Sequence, residues 1–257
     1  MNWRILPTMT ENAYSNMAID HALYESVLEG GLPIIRFYNW KNGGVSIGNG
    51  QNADIVNTRS CSKEHVLYVR RPTGGNAVYH DPEDITYSVI APSKLFDDSG
   101  LGANRKAYST ICGWIIKALS EFGLEAILYG SNDVLVNGKK VAGNAQLPSK
   151  VAFLQHGSIF YNANPAVWSK FLNYSPEKLS QIAGLNSFIK KPEQLQKALF
   201  KHFTHNDYVD SCKLIPLTSQ EMHRINELLD AVYNSTNFFG TGNEKQGKAC
   251  IVDISPD

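Results

Sequence analysis

Two arginines and two glycines stand together in the stretch YVRRPTGGNAVYHD at residues 68–81. Guanidinium groups suit phosphate or carboxylate oxygens because their planar fork donates two parallel hydrogen bonds. Gly74 and Gly75 carry no Cβ atom, so a bound group could approach their backbone closely and accept amide hydrogens. We interpret Arg70, Arg71 and the glycine pair as a candidate anion site, although a hairpin turn with two solvated arginines fits the same residues equally well.

A second candidate stretch is NGKKVAGNAQ at residues 137–146, in which Asn137-Gly138 between apolar runs predicts a tight hairpin. Side chains alternate across a strand, so one of Lys139 and Lys140 is expected to face inward. The small residues that follow would leave room for a ligand beneath an inward ammonium group. The alternative is an exposed hairpin with a solvated lysine pair, and these residues alone favour that alternative.

Asn132 and Asp133 begin the strand-like run that precedes this hairpin. A carboxylate there could hold Mg²⁺, which usually binds one or two carboxylates together with substrate phosphates. Asn-Asp is also ordinary turn chemistry, so the pair by itself does not establish a metal site. His80 and His156 lie in strand-like apolar surroundings, where a single histidine is more often a hydrogen-bonded core residue than a catalyst.

Several widespread site patterns are missing or weak. The chain has no G-x-x-x-x-G-K-[ST] and no G-x-S-x-G, which argues against a P-loop and against a hydrolase nucleophile elbow. GNGQNA at 48–53 resembles a dinucleotide-binding fingerprint, but no convincing helix opens after it. The cysteines are scattered without a C-x-x-C pair, which fits reduced thiols better than disulfides: Cys61, Cys112, Cys212 and Cys250.

Composition limits the partners of the chain. The 257 residues carry 24 lysines and arginines against 24 aspartates and glutamates, so the formal net charge is zero. Non-specific nucleic-acid binders normally show a basic excess, so we expect no nucleic-acid partner. The start of the chain has no signal-peptide pattern and no apolar run is long enough to span a bilayer, so we expect a soluble, cytoplasmic protein without a membrane partner.

The spacing of apolar residues predicts a chain of strands followed by a helical last third. Helices are predicted over 15–28, 105–122, 165–173, 176–183, 192–203 and 218–233. Strands are predicted over 32–40, 43–50, 65–71, 126–130, 133–143 and 151–161, and 77–91 is predicted to be a pair of strands broken by the turn Pro82-Glu83-Asp84. Strands that follow one another without regular βαβ alternation indicate an α+β fold, with an antiparallel or mixed sheet flanked by helices in one principal domain.

Taken together, these stretches resemble the signatures of one family. RRPTGGNAVYHD at 70–81 is similar to the R-R-x-[ST]-G-G-G-x-V-[FY]-H-D signature of lipoate–protein ligases and octanoyltransferases. NDVLVNGKKVAGNAQ at 132–146 is similar to the family's second signature, N-D-[LV] followed by a hairpin and K-[VI]-[SA]-G-[SN]-A. The resemblance runs from about residue 3 to about residue 240, with SNMAIDHAL, LQHGSIF and YNSTNFF as flanking matches.

The resemblance implies a catalytic domain over 1–240 with a fold similar to biotin ligases and class II aminoacyl-tRNA synthetases. It implies lipoate or octanoate as the acyl substrate and, in a ligase, ATP and Mg²⁺. It assigns Lys140 to catalysis at the acyl carbonyl and the α-phosphate, and Asp133 to the metal. The residues that it places in substrate or nucleotide binding are Arg71, Thr73, Gly74, Gly75, Asn76, Val78, Tyr79, His80, Asn132, Asp133, Gly143, Ala145, His156 and Gly157.

The acceptor that the resemblance implies is a lysine of a lipoyl-domain protein. Examples are the acyltransferase subunits of 2-oxoacid dehydrogenases and the H protein of glycine cleavage. Family ligases often carry a small accessory domain for adenylation, and the residues at 241–257 are too few to form an independent core. We therefore expect a C-terminal tail without the accessory domain, and either a separate accessory chain or the use of preformed lipoyl-AMP.

Two mechanisms share this scaffold in the family. A ligase activates lipoate as lipoyl-AMP, whereas an octanoyltransferase takes an acyl group from a carrier protein through a thioester on its own cysteine. In the transferases that this chain resembles, that cysteine lies shortly before the segment equivalent to NDVLV, and GLEAILYGSNDVLV at 123–136 contains none. We therefore favour the ligase, with the transferase and a non-catalytic acyl-binding relative as alternatives.

Three features depart from the ligase pattern. Asn76 stands at the third glycine of the first signature, where its side chain could crowd the phosphates or hydrogen-bond to them. Asp84 stands where ligases often carry asparagine, which would add negative charge near an anionic ligand. Much of the segments RFYNW, RRPTGG, TYSVI and LQHGSI is more similar to the transferase branch than to the ligase branch.

Overall fold

The computed structural model of the chain describes residues 1–96 and 103–233. The strands in these ranges are β1 Asn2–Ile5, β2 Met9–Glu11, β3 Ile34–Trp40, β4 Gly44–Ile47, β5 Tyr68–Arg70, β6 Val78–His80, β7 Ile85–Pro92, β8 Ala126–Tyr129, β9 Asp133–Val136, β10 Lys139–Pro148, β11 Ala152–Ile159 and β12 Ser211–Leu214. The α-helices are α1 Ala13–Leu28, α2 Thr58–Lys63, α3 Ala103–Ser120, α4 Pro165–Phe171, α5 Pro176–Leu179, α6 Pro192–Thr204 and α7 Ser219–Leu228. The tail predicted at 241–257, the last residues of the predicted catalytic domain and Cys250 lie outside the described residues.

The strands form two sheets, and the larger one is mixed. Its order is β12-β1-β3-β7-β11-β10-β9-β8, with β2 beside β3. From β3 to β8 the pairs are antiparallel, whereas β1 runs parallel to both of its neighbours and β2 runs parallel to β3. The smaller sheet has the order β5-β4-β6, with one parallel and one antiparallel pair. The predicted α+β fold with a mixed sheet is confirmed.

Helices cover both faces of the larger sheet. Helices α3 and α6 pack on one face, where Ile111, Trp114 and Phe203 belong to the core. Helices α1 and α7 pack on the other face, around Met17 and Leu23. Every residue of β11 is buried, as expected of a central strand between two helical layers. The middle of this sheet is therefore a rigid base for side chains that project from it.

Helix α1 carries polar residues into the core. It begins two residues earlier than the apolar spacing predicts, because Asn12 caps it by accepting a hydrogen bond from the backbone amide of Ser15. Its residues Asn16 and Asp20 are fully buried and accept hydrogen bonds from the guanidinium of Arg36 on β3. An ion pair thus lies inside the molecule, between α1 and the sheet.

The hairpin predicted between β9 and β10 is confirmed. Asn137 and Gly138 both have positive φ angles, 50° and 73°, as a tight two-residue hairpin requires. Just beyond it, the register between β9 and β10 shifts between Lys140 and Ala142. Such a bulge adds a residue to one strand and re-aims its side chains. Here Lys140 is half-buried while Lys139 is exposed, so one lysine of the pair faces inward as predicted.

The elements that the sequence did not predict are short. They are the strands β1, β2 and β12 and the helix α2, none longer than six residues. Strand β12 is largely exposed and pairs in parallel with β1, some 200 residues away in the chain, so local patterning could not reveal it. Within residues 1–96 and 103–233, no helix combines the length and the apolarity needed to cross a bilayer.

Candidate active site

Residues from both sheets and from helix α1 line a cavity of about 140 Å³. Most of the site residues predicted from the sequence come together in its lining. They are Arg71, Gly75, Asn76, Val78, His80, Asn132, Asp133, Lys140, Gly143, Ala145, His156 and Gly157. The two signature stretches, which are about 60 residues apart in the chain, therefore meet at one place.

Three predicted site residues do not line this cavity. Thr73 is fully buried behind the lining and hydrogen-bonds to His156. Gly74 is exposed on the loop that precedes Gly75. Tyr79 alternates with its neighbours on β6 and stacks on Phe171, with ring centroids 5.0 Å apart. Thr73 and Gly74 belong to the loop that carries Gly75 into the lining. Tyr79 belongs to the core of the smaller sheet.

Several lining residues were missed by the sequence reasoning. They are Met17, Tyr38, Trp40, Ser46, Thr86, Asn144 and Ser158. Most of them belong to runs that look like ordinary core strands or helix, so only their position opposite the two signatures shows that they face the cavity. A polar residue in an otherwise apolar strand, such as Ser46 or Ser158, was the one signal that could have identified them.

Lys140 projects into the cavity from the bulge on β10. Its Nζ lies 2.7 Å from Asp133 Oδ1, and both side chains are 28 % exposed. Its backbone amide donates to Gln181 and its carbonyl accepts from Ala183, so the segment after α5 holds the strand at this point. Lys139 points the other way and donates to the carbonyl of Ser180. The backbone of Lys140 is thus held by hydrogen bonds, and its ammonium group is paired with Asp133.

The Lys140 side chain lies directly over Gly143. A Cβ atom on Gly143 would lie 2.8 Å from Lys140 Cε and 2.9 Å from Nζ. Both distances are shorter than those that Cβ atoms make in real structures, but the end of the lysine side chain is flexible and can move away. Glycine at this position therefore makes room for the present path of the lysine side chain.

Replacing Gly143 with alanine is expected to displace the Lys140 ammonium and to lower catalytic activity by about tenfold or more, because a small misplacement of a reacting group is costly. The free energy of unfolding should change by less than about 1 kcal/mol, since only a side-chain tip must move. Gly113→Ala on α3 is the matched control, because a Cβ there meets nothing within 4 Å. Full activity in Gly143→Ala would contradict this account of the glycine.

Arg71 is almost fully buried and holds the glycine turn together. Its Nε donates to Thr73 Oγ1, its Nη1 donates to the carbonyl and the hydroxyl of Ser46, and its Nη2 donates to the carbonyls of Gly74 and Asn76. A guanidinium has five N–H donors, so each of them has a protein acceptor. Burial lowers the pKa of Arg71 to about 10. The sequence suggested that the Arg71 guanidinium binds an anion, whereas in this structure it hydrogen-bonds to the loop and holds it in place.

Arg70 plays a similar part for the neighbouring loop. Its Nη1 donates to the carbonyls of Gly48, Asn49 and Gln51. A Cβ atom on Gly48 would collide with the carbonyl oxygen of Gly75, so the two loops pack backbone against backbone. The two adjacent arginines therefore position the two glycine-containing loops that meet at the cavity.

His80 and His156 are buried, hydrogen-bonded and part of the cavity wall. His156 lies 2.7 Å from Thr73 Oγ1 through Nε2 and 3.0 Å from Asp20 Oδ2 through Nδ1. His80 stacks on Trp40 with ring centroids 3.8 Å apart. Burial, the nearby Arg71 cation and His156 hold the pKa of His80 well below its usual range. Both histidines are core residues and lining residues at once.

A chain of amides fixes the part of the wall that carries Asn132. Tyr87 Oη donates to Asn144 Oδ1, so the other end of that amide must donate, and it does so to the carbonyl of Asn132. Asn132 Nδ2 in turn donates to the carbonyl of Asn144. The Asn144 amide also contacts Cys112 Sγ at 3.4 Å. Asn132 is therefore held beside Asp133 through both its side-chain amide and its backbone carbonyl.

The thiols of the described residues lie away from the cavity lining. Cys112 is fully buried behind Asn144, and burial raises the pKa of its thiol to about 12. Burial raises the pKa of Cys61 to about 11, and it also raises the pKa of Cys212. A nucleophilic cysteine needs a lowered pKa and access to the substrate, and these three thiols have neither a lowered pKa nor a place in the lining.

Asp84, which departs from the ligase pattern, does not line the cavity. Its carboxyl group is fully buried and accepts hydrogen bonds from the backbone amides of Asp81, Tyr161 and Asn162. It thereby ties the loop after β6 to the end of β11. Burial raises the pKa of Asp84 to about 8 in spite of these donors.

The raised pKa of Asp84 makes stability depend on pH. In the unfolded chain an aspartate titrates near pH 3.9, so between about pH 4 and pH 8 the folded state binds the extra proton. The free energy of unfolding should therefore fall as pH rises through this window, by at most about 1.4 kcal/mol per pH unit. Asp84→Asn should lack this component, so its stability relative to the native chain should rise from pH 5 to pH 8 in urea titrations. Asp207→Asn removes a carboxylate at an exposed position and is the control for the loss of one negative charge.

Asp133 is the carboxylate of the lining that could bind a metal. No cluster of three or more histidine, cysteine or acidic side chains suited to a metal occurs in the described ranges. A single carboxylate still fits Mg²⁺, which takes much of its coordination from substrate phosphates and water. Asp133 could take this role because its carboxylate lines the cavity, where it is paired with the Lys140 ammonium in the present structure.

The family model for the lipoyl protein ligase A/B catalytic domain matches residues 12–214. The chain belongs to the lipoyl protein ligase A/B catalytic-domain family. Octanoyltransferase LipM of Halalkalibacterium halodurans is 31 % identical over 204 residues, which cover 70 % of this chain and 73 % of that protein. Lipoate-protein ligase LplJ of Bacillus subtilis is 27 % identical over 204 residues, which cover 74 % of this chain and 60 % of LplJ. The relatives of this chain thus include both a lipoate-protein ligase and an octanoyltransferase.

Solved structures of this family share the fold over nearly the whole chain. A bi-partite lipoate protein ligase from Thermoplasma acidophilum, solved in work on that ligase and its E2 lipoyl domain, has a TM-score of 0.82 at 27 % identity. The match covers 96 % of this chain and 99 % of that one. Lipoate-protein ligase A bound with ATP has a TM-score of 0.81 at 26 % identity, covering 93 % of this chain and 98 % of that one.

Proposed function

We propose that this protein is an ATP-dependent lipoate–protein ligase, which activates lipoate as lipoyl-AMP and passes the lipoyl group to a lysine of a lipoyl domain. The observation that carries the proposal is the cavity in which Lys140 stands beside Asn132 and Asp133 and opposite the Gly75 turn, with no thiol among the described lining residues. The ATP-bound ligase with the same fold supports it further.

Adenylation must bring a carboxylate and a triphosphate together, although both are anions. A carboxylate oxygen of lipoate attacks the α-phosphorus, a P–O bond forms, and the bond to pyrophosphate breaks. Lys140 supplies a fixed positive charge where negative charge builds on the α-phosphate, which is the kind of stabilisation that needs no proton transfer. The exposed backbone of Gly75, which lines the cavity, would allow the phosphate to approach closely.

Transfer then uses the mixed anhydride. The neutral amine of the acceptor lysine attacks the acyl carbonyl, a C–N bond forms, the C–O bond to AMP breaks, and the proton of the amine passes to solvent. Lys140 faces the carbonyl oxygen and the departing phosphate during this step. Asp133 orients Lys140 and would hold Mg²⁺, which supplies charge neutralisation on the phosphates when bound.

The second candidate function is octanoyl transfer from a carrier protein, favoured by the 31 % identity to an octanoyltransferase. That reaction passes through a thioester and requires a reactive cysteine at the cavity. Cys112 is the thiol next to the wall, yet its raised pKa and complete burial make it a poor nucleophile. The ligase therefore accounts better for the described residues.

The proposed acceptors are lipoyl-domain proteins, such as the acyltransferase subunits of 2-oxoacid dehydrogenases or the H protein of glycine cleavage. We also propose that residues 1–240 form one catalytic domain and that a separate accessory chain assists adenylation. Support comes from the bi-partite ligase, one chain of which is matched over 99 % of its length.

The test is mass spectrometry of an apo lipoyl domain after incubation with the full chain. One arm supplies lipoate and Mg-ATP, a second supplies preformed lipoyl-AMP, and a third supplies octanoyl carrier protein without ATP. A lipoyl mass increase in the second arm, and in the first arm when an accessory chain is added, is the expected result. Octanoylation in the third arm alone would establish the transferase, and no product in any arm would leave a binding protein.

A further inference from the structure

Two hydroxyl–imidazole pairs, Thr73–His156 and Ser46–His80, converge on one guanidinium at the cavity wall. The oxygen of Thr73 lies 2.7 Å from His156 Nε2, and the oxygen of Ser46 lies 2.8 Å from His80 Nε2. Arg71 donates to both oxygens, through Nε at 3.1 Å and through Nη1 at 3.1 Å. All five side chains are at least nine-tenths buried. Solvent therefore cannot readily replace these partners.

The guanidinium sets the direction of the hydrogen bonds in both pairs. Arginine can only donate, so each hydroxyl oxygen accepts from Arg71 and keeps one hydrogen to donate. The imidazole Nε2 is the acceptor within reach of that hydrogen. If Nε2 carried a hydrogen of its own, the hydroxyl hydrogen would be buried without this acceptor, which is costly inside a protein. Nε2 therefore accepts in both pairs.

The far nitrogen of each imidazole faces a group that can accept a hydrogen bond. His156 Nδ1 lies 3.0 Å from Asp20 Oδ2, and this carboxylate is already paired with the guanidinium of Arg36. His80 Nδ1 lies 2.8 Å from Ser158 Oγ. A proton on Nδ1 satisfies both ends of both rings. The lowered pKa of His80 agrees with a neutral imidazole in this place.

We propose that Arg71 is a positioning residue that fixes His80 and His156 as neutral imidazoles protonated on Nδ1. Asp20 completes the arrangement by accepting from His156. The consequence for binding rests on the proposed function, in which the cavity takes an acyl chain. A wall whose donors all point into protein acceptors can lie against an apolar chain without leaving a polar group unpaired. The arginine thus prepares the acyl site without touching the acyl group.

The first test is the tautomeric state of the imidazoles. Long-range ¹H–¹⁵N correlation spectra of histidine-labelled protein distinguish Nδ1–H, Nε2–H and doubly protonated rings, and single substitutions of the seven histidines assign the signals. At pH 7 the native protein is expected to show His80 and His156 as Nδ1–H. Either ring with its proton on Nε2, or with both nitrogens protonated, would overturn the proposal. This measurement needs no turnover, so it stands whether the protein is a ligase or a transferase.

The second test removes one hydroxyl. Thr73→Val keeps the shape but breaks the link between Arg71 and His156, so the His156 signals should change and octanoate should bind about tenfold more weakly by calorimetry. Thr73→Ser keeps the hydroxyl and should restore both. Thr204→Val removes a buried hydroxyl from α6 and is the matched control, because that hydroxyl donates to the carbonyl of Phe200 away from the cavity.

The outcomes separate the two parts of the proposal. Unchanged His156 signals in Thr73→Val would overturn the role of Arg71 in fixing the tautomer. Changed signals with unchanged octanoate affinity would overturn the consequence for the acyl chain. If no arm of the lipoylation experiment gives product while the native spectra and octanoate binding are as expected, the proposed function fails and the tautomer assignment remains.

Discussion

Lys140→Ala is expected to lower the rate of lipoyl transfer by about 10²–10³-fold, because the variant loses the fixed charge that faces the α-phosphate and the acyl carbonyl. The fold should remain, since the side chain is 28 % exposed and its backbone bonds to Gln181 and Ala183 do not depend on it. The measurement is the rate of mass increase of an apo lipoyl domain supplied with lipoyl-AMP. Starting from the adenylate removes any dependence on an accessory chain.

Lys139→Ala provides the matched control for this experiment. It removes the same ammonium from the adjacent position, where the side chain is exposed and donates to the carbonyl of Ser180. Its rate should stay within about twofold of the native rate, and urea unfolding should show both variants folded. Equal rates for the native chain and Lys140→Ala would reject the catalytic role of the inward lysine.

Arg36→Met is expected to cost about 3–5 kcal/mol of unfolding free energy at pH 7, because it leaves the buried carboxylate of Asp20 without its counter-ion. Burial alone would raise the pKa of Asp20, but Arg36 and the hydrogen bonds from His156 and Ser88 hold it below its usual value. A lowered carboxyl pKa contributes stability above the pKa of the unfolded chain, so the contribution is complete at pH 7. Urea unfolding measures the loss.

The control for Arg36→Met is the same change at an ion pair that is partly exposed to solvent. Arg224 is 40 % exposed and pairs with Glu25, and such a surface pair is worth at most about 1 kcal/mol. Arg224→Met should therefore shift the urea midpoint much less. A loss in Arg36→Met no larger than that of the control would show that the buried pair contributes little to stability.

Most of the lining residues could be predicted because they lie in two short stretches that resemble the signatures of one family. The turn residues Asn137 and Gly138 predict the hairpin, and the structure confirms it. The lysine pair alone favoured a solvated hairpin, and the family resemblance pointed to the inward Lys140 that the structure shows. The fold class followed from the order of strands and helices. These features depend on short-range rules, which a single sequence displays directly.

The rest of the site depends on contacts across long stretches of chain. Asp20 and His156 are 136 residues apart in sequence and meet only because α1 packs beneath β11. Ser46 reaches the site because β4 brings it beside Arg71. No local pattern encodes such pairs, since each residue alone resembles an ordinary core or helix position.

The arginines illustrate how a correct motif can suggest an incomplete role. Their type and spacing predict an anion site, and Arg71 does line the cavity. Whether a guanidinium faces a ligand or a loop depends on the carbonyl oxygens that surround it, and those come from the folded turn. Sequence spacing gives the donors but not their acceptors.

The backbone bonds of Lys140 bear on how the protein matures on the ribosome. The backbone of Lys140 hydrogen-bonds to the carbonyl of Gln181 and to the amide of Ala183, which lie some forty positions further along the chain. When the hairpin first emerges, those partners have not yet left the ribosome. The nascent chain can therefore form the hairpin early, but it gains a finished cavity only after the segment beyond α5 has left the exit tunnel.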